Sequence, residues 1–231
     1  YVAGSFSAIS GESRDRIAAL DPTTAAVTAF DPGDINGTVF DLEFSGSSLF
    51  VGGSFNVIAG STRQRFAELN SSTGALQPLS ISLNSNVWDI SVSGNLLALG
   101  GDFTEADGTS RPYFAEIDLG SETLTSKNLQ FDGRVSAILY DGNDIIVGGN
   151  FDNSQFRAIE RIAELDIASN SLTSFDPGNC NSTVDEILLD NGELFVAGSF
   201  SNIGGESRLR LASLNAESGS LNPLDIPVNN G

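Results

Sequence analysis

The chain has 231 residues, with 30 acidic against 11 basic side chains and a net charge of −19. Such a surface repels a phosphate backbone and an anionic bilayer, which excludes nucleic acid as a partner, and no apolar run approaches the ~18 residues of a spanning helix, which excludes membrane insertion. Histidine and methionine are absent and cysteine occurs once, as Cys180, so the commonest general base, an internal disulfide and a cysteine-based metal site are all missing.

From the first residue the chain reads as a mature or excised piece of something longer, with neither an initiator Met nor a leader. Val2-Ala-Gly-Ser-Phe6 opens it, and the same five-residue pattern returns as Val51-Gly-Gly-Ser-Phe55, Leu99-Gly-Gly-Asp-Phe103, Val147-Gly-Gly-Asn-Phe151 and Val196-Ala-Gly-Ser-Phe200. Its phenylalanines, Phe6, Phe55, Phe103, Phe151 and Phe200, are separated by 49, 48, 48 and 49 residues. A second marker, Leu20, Leu69, Ile117, Leu165 and Leu214, keeps the same spacings. Two markers in one register define an internal repeat of about 48 residues, with frames at approximately 1–49, 50–97, 98–145, 146–194 and 195–231.

Within a frame the elements follow in one order. An alternating run such as Thr38–Ser45 predicts a first strand, with parallels beginning at Val87, Val135 and Val184. A tight turn leads into the second strand, which carries the five-residue motif. The third is "RFAELN" and its equivalents, and a turn opened by Asp21, Asn70, Asp118, Asp166 or Asn215 leads to the fourth. No stretch has a helical apolar period. A four-stranded antiparallel unit repeated at this length buries its faces only by packing on its neighbours around an axis, so the expected fold is an all-β propeller of about five four-stranded blades, possessed of its own ring or part of a larger one. The first strand occurs four times and the others five, so one strand of the first blade is missing.

In this frame the recurring phenylalanines and glycines are joints between sheets, and a structural role is expected for them. Arg16, Arg65, Arg161 and Arg210 open third strands, while Arg14, Arg63, Arg111 and Arg208 precede them. Repetition once per blade assigns these guanidinium groups to loop carbonyls or to the in-frame carboxylates Glu68, Glu116 and Glu164 rather than to an anion site. Asp41, Asp89 and Glu186 share one position of the first strand, where the fourth copy has Ala137. A ring of carboxylates near a propeller axis suits a hard cation such as Ca²⁺; the other reading is a solvated channel wall, and no other cofactor is expected. Cys180 is expected as a partly buried free thiol, with an intermolecular disulfide as the other reading. Asn36, Asn70 and Asn181 open sequons that permit glycosylation without predicting it.

The pattern carried by "FVGGSFNVIAGSTRQRFAELNSSTGALQPL" and "FDPGDINGTVFDLEFSGSSLFVGGSF" resembles the delta-sixty type repeat of bacterial extracellular β-propellers, with the third and fourth copies more divergent. The resemblance implies a secreted or surface-displayed propeller, often one module of a larger protein, and brings no catalytic residues with it. The expectation is therefore a non-catalytic structural or interaction module with a protein partner or self-assembly. The alternative is a glycan-binding or glycan-active propeller using Asp41, Asp89 and Glu186, since glycoside hydrolysis needs two carboxylates.

Overall fold

The computed structural model describes residues 1–154 and 159–224; the end of the fifth frame lies outside the described residues. All regular structure there is β-strand, and no helix is long and apolar enough to cross a membrane.

Each copy folds as an antiparallel sheet whose strands lie in chain order, its first strand coming from the end of one frame and the rest from the next. The third copy has four strands, Val87–Ser93, Leu96–Gly101, Phe114–Asp118 and Thr123–Leu124, and the fourth has Val135–Asp141, Asp144–Gly149, Ile162–Asp166 and Ser171–Leu172. The second copy (Val39–Ser45, Ser48–Gly53, Phe66–Asn70) and the fifth (Val184–Asp190, Glu193–Gly198, Leu211–Asn215) have three, with the fourth reduced to the single bridges Leu69↔Leu76 and Leu214↔Leu221. In the first copy the sheet consists, among the described residues, of Val2–Ala3 paired with Ile17–Ala18 and the bridge Leu20↔Val27. The first strands of successive copies pack side by side, placing them innermost.

Two features go beyond the expected four strands. Two-residue hairpins, such as Val57–Ile58 with Ser61–Thr62, occupy the link between second and third strands in the first, second, third and fifth copies. Residues ahead of three inner strands bridge to them: Ile35↔Ile58, Leu83↔Ala106 and Cys180↔Ile203. In addition, every inner strand carries a bulge, between Val39 and Asp41, Val87 and Asp89, Val135 and Ala137, and Val184 and Glu186. A bulge inserts one unpaired residue and re-aims the side chains beside it.

The core is divided into four clusters, each drawn from two successive copies. Between the second and third, Phe50, Phe66 and Ile81 pack with Val87, Leu97, Leu99 and Phe103. Phe55, Phe103, Phe151 and Phe200 are all buried in this way, while Phe6 is half-buried. The motif's glycines explain why the sheets approach so closely. A Cβ on Gly52, Gly100 or Gly148 would lie 2.7–2.8 Å from the Cγ1 of Val87, Val135 or Val184 on the next blade. A side chain there would push the neighbouring inner strand away.

The arginines tie the loops rather than an anion. Arg16, Arg65, Arg161 and Arg210 have φ of +64°, +71°, +69° and +65°, and Tyr113 holds the same place in the third copy at +64°. This left-handed conformation is uncommon for a side-chain-bearing residue. It lets one residue bond twice to the end of the second strand: the Arg65 N–H donates to the Phe55 carbonyl at 2.8 Å while its own carbonyl accepts from Gly53 at 3.0 Å. The guanidinium groups turn back to the same loop, Arg16 to the Ser5 carbonyl, Arg65 to the Ser54 carbonyl and Arg161 to Asn150 Oδ1. Arg14, Arg63 and Arg111 instead clamp the fourth strand, donating to the carbonyls of Thr28, Gln77 and Thr125.

The expected partners Glu68, Glu116 and Glu164 do not receive these arginines, because their third strands aim them at the opposite face. Glu68 accepts from Ser48 and Glu164 from Thr173. Glu116 is 3% exposed and Lys127, the only lysine, 6% exposed; their charged atoms are 3.0 Å apart, and the hydroxyls of Thr125 and Tyr140 also donate to Glu116. Burial and this carboxylate push the Tyr140 phenol up. Cys180 is a buried free thiol whose Sγ donates to the Ser182 carbonyl, and burial pushes its pKa up.

Candidate functional site: the axial carboxylates

The inner-strand bulges aim the side chains at the shared frame position toward the next blade. Asp41 Oδ2 accepts the backbone N–H of Ile90 at 2.9 Å, and Asp89 Oδ2 accepts that of Ile138, each donor lying 49 residues further along the chain. Two positions on, Glu43 Oε1 accepts from Val92 at 3.3 Å and Ser91 Oγ from Tyr140 at 3.2 Å. An inner strand has no strand beyond it to satisfy these N–H groups, so side chains of the preceding blade do so. Burying an N–H without an acceptor would cost about 1–3 kcal/mol.

The charges of Asp41 and Asp89 also act on each other. Burial pushes both upward, Asp89 further because the charge of Asp41 stands against it; Glu186 contributes a weaker repulsion. Glu186 is pushed up by burial and then by Asp41. The charges of the three residues singled out in the sequence therefore act on one another, although Ala137 interrupts the series.

Their chemistry differs from the expected cation ring. Among the described residues no group of three or more carboxylate or cysteine side chains is arranged to hold a metal ion. Asp41 and Asp89 each place Oδ2 on a backbone donor of the next blade. Trp88, the only tryptophan, is stacked on Phe40 at 4.2 Å and carries the Arg134 guanidinium 4.8 Å from its centroid. Its Nε1 donates to Asp102 at 2.8 Å, and Arg134 Nε pairs with the same carboxylate at 2.6 Å. This cluster joins three successive blades; its signal in the sequence was only that Phe40 and Trp88 share a frame position.

A titration follows from the pair. Because the folded state raises the pKa of Asp89 and Asp41, their protonation stabilises the fold below the unfolded carboxylate value, and that stability is lost as pH rises through the raised values. Thermal unfolding followed upward in pH from the ordinary carboxylate range should show stability falling as pH rises. Asp89→Asn keeps an oxygen for Ile138 and removes the charge, so it should flatten that slope. Asp89→Ala strands the Ile138 N–H and should cost about 1–3 kcal/mol. An unchanged slope in Asp89→Asn would show that the pair does not titrate as described.

Comparison with known proteins places this geometry. The model of a family described as "Domain of unknown function (DUF5122) beta-propeller" matches residues 48–76 and 189–224, which contain the second strand, the five-residue motif and the third strand of the second and fifth copies. No curated protein matches. Among solved structures the chain is similar to a chain of the "Crystal Structure of Mitotic Checkpoint Complex", at 18% identity and a TM-score of 0.60 over 87% of this chain and 55% of that one. It is also similar to the computationally designed Ika4 protein (15% identity, TM-score 0.50, 76% of this chain and 96% of that one). The computationally designed Ika8 protein gives 14% identity and a TM-score of 0.50, over 84% and 62%. The chain thus spans about half the length of the first of these and under two thirds of the last. At these identities the likeness concerns the fold alone, and with the packed inner strands it makes this chain a β-propeller.

Proposed function

We propose that this chain is a non-catalytic structural or interaction module of the delta-sixty type, displayed outside the cell. The observation that carries the reading is the engagement of Asp41 and Asp89, the side chains best placed for axial chemistry, by the backbone of the next blade. Groups that hold neighbouring blades together are poorly placed to turn over a substrate. A rigid disc with loops at its rim is suited to recognition. The charge of −19 keeps such a module soluble and favours cationic or neutral partners over anionic ones.

Protease shaving of intact source cells tests the location. Release of peptides from this chain before lysis supports the reading, and their appearance only after lysis contradicts it. An assay against a panel of glycosides tests the absence of catalysis: turnover abolished by Asp41→Asn would overturn the proposal in favour of a glycan-active propeller.

A further inference from the structure

We propose that the cleft between the fourth and fifth copies binds an alkyl ammonium group, brought by a linear diamine or by a lysine side chain of another protein. The site goes beyond the module reading and stands whether or not the chain is displayed outside the cell. It is built from residues other than the axial carboxylates.

The repeat places an equivalent cleft between successive blades. Between the second and third copies it is a cavity of about 150 Å³, lined by Ser45, Ser48 and Glu68 of one blade and Leu119 and Glu122 of the next. Between the fourth and fifth copies Asp141, Asp144 and Glu164 hold the same three frame positions, Ala216 and Glu217 face them, and the cavity is about 350 Å³. Two serines have become two aspartates, and no basic side chain lines the space. The second and third blades pack without these aspartates, so their use lies elsewhere.

Strand register makes the change costly. Asp144 stands directly opposite Asp141 on one side and Asp166 on the other. The corresponding row in the second copy is the neutral Ser48, Ser45 and Asn70. Like charges opposed across a ladder destabilise it. Burial and the charges of Asp166 and Asp141 push the Asp144 carboxyl up; burial, with Asp144 and Asp141, does the same to Glu164. Glu164 is 7% exposed and lines the cavity. Thr173 Oγ1 donates to its Oε2, while its Oε1 accepts no hydrogen bond among the described residues. A carboxylate so deeply buried calls for a counter-charge.

The chain itself shows which counter-charge this position takes. One joint earlier, Glu116 holds the place of Glu164, and the buried Lys127 sets its Nζ 3.0 Å from Glu116 Oε1. Thr125 donates to Glu116 Oε2 as Thr173 does to Glu164. Two residues beyond that threonine stands Lys127 in the third copy and Phe175 in the fourth. The fourth copy thus keeps the carboxylate and the hydroxyl, adds two aspartates, and supplies no ammonium of its own. A metal ion fits the arrangement less well, because among the described residues no three carboxylates are placed to hold one. An ammonium needs no closed shell of oxygens: its three N–H groups reach acceptors spread along a wall, and its alkyl stem covers apolar surface such as Ala216.

The probe is 1,5-diaminopentane, titrated calorimetrically into the whole chain at low ionic strength. The expected result is one saturable site with a Kd of about 1 mM or tighter. Asp141→Ser with Asp144→Ser restores the residues of the second copy. It should weaken binding at least about tenfold and, without diamine, raise the melting temperature, since the opposed charges are gone. Higher stability keeps the test independent of folding. Glu105→Ser with Glu206→Ser removes the same charge from two exposed hairpins and should change affinity by about twofold or less. Nα-acetyl-lysine amide separates the sources: affinity equal to that of the diamine assigns a partner's lysine, and affinity at least about tenfold weaker assigns a free diamine. Absence of saturable binding, equal weakening in both double variants, or calcium bound more tightly than the diamine would each overturn the proposal.

Discussion

Gly101→Ala is expected to cost about 4 kcal/mol or more, enough to unfold a domain of ordinary stability. A Cβ on Gly101 would stand 2.0 Å from the Asn86 carbonyl oxygen, 3.1 Å from its carbon and 2.9 Å from Phe103 Cδ1. The carbonyl cannot swing aside, because it accepts the Asp102 N–H at 2.9 Å and leads directly into the bulged inner strand at Val87. The same geometry recurs at Gly53 under Thr38, Gly149 under Arg134 and Gly198 under Thr183, with oxygens 2.1–2.2 Å from the ideal Cβ. The second glycine of the motif is thus required by its own blade and the first by the next blade. Gly108→Ala is the matched control. Gly108 has φ of +70° with open space around it, so alanine there meets only left-handed strain of about 1–2 kcal/mol. Urea unfolding of both variants measures the difference, and equal costs would refute the steric account.

Phe103→Ala should cost about 3–5 kcal/mol, from lost burial and the cavity left behind. Phe103 is fully buried and belongs to the cluster that joins the second and third copies. Its backbone is held as well, the carbonyl accepting the Tyr113 N–H at 2.7 Å, so the cavity cannot readily collapse. Phe44, 43% exposed, gives the contrast: Phe44→Ala should cost about 1 kcal/mol or less, since it forfeits little buried area. A loss at Phe103 no larger than that at Phe44 would show that the motif's aromatic is not a joint.

The propeller was legible in the sequence because repetition amplifies a weak strand signal: five copies of one phenylalanine and one leucine fix a register that no single copy would. The equivalence of Asp41, Asp89 and Glu186 on successive inner strands was legible for the same reason. What those carboxyls touch was not. Strand alternation orders side chains within one strand and carries no information on which backbone group lies against them 49 residues later. The bulges at Val39, Val87, Val135 and Val184, which aim them, need no residue type that marks their place. The small hairpins escaped because a two-residue strand such as Val57–Ile58 is shorter than any period. Of the two arginine partners expected, the loop carbonyls were found and the in-frame carboxylates were not. Spacing brought Glu116 near Arg111 in sequence, but the true partner, Lys127, is the single residue of its type and stands outside the repeat.

The central claim is that the recurring motif is a joint between successive blades, and a double-mutant cycle on one joint tests it most directly. Gly148 belongs to the fourth blade; its ideal Cβ would lie 2.7 Å from Cγ1 of Val184 on the fifth, with Ile187 further off at 3.4 Å. Gly148→Ala should be strongly destabilising alone and less so in a Val184→Ala background, where the offending methyl is gone. A coupling of about 1 kcal/mol or more in that direction is the predicted result. Strict additivity would mean that the two residues do not meet across the joint, and would contradict the account.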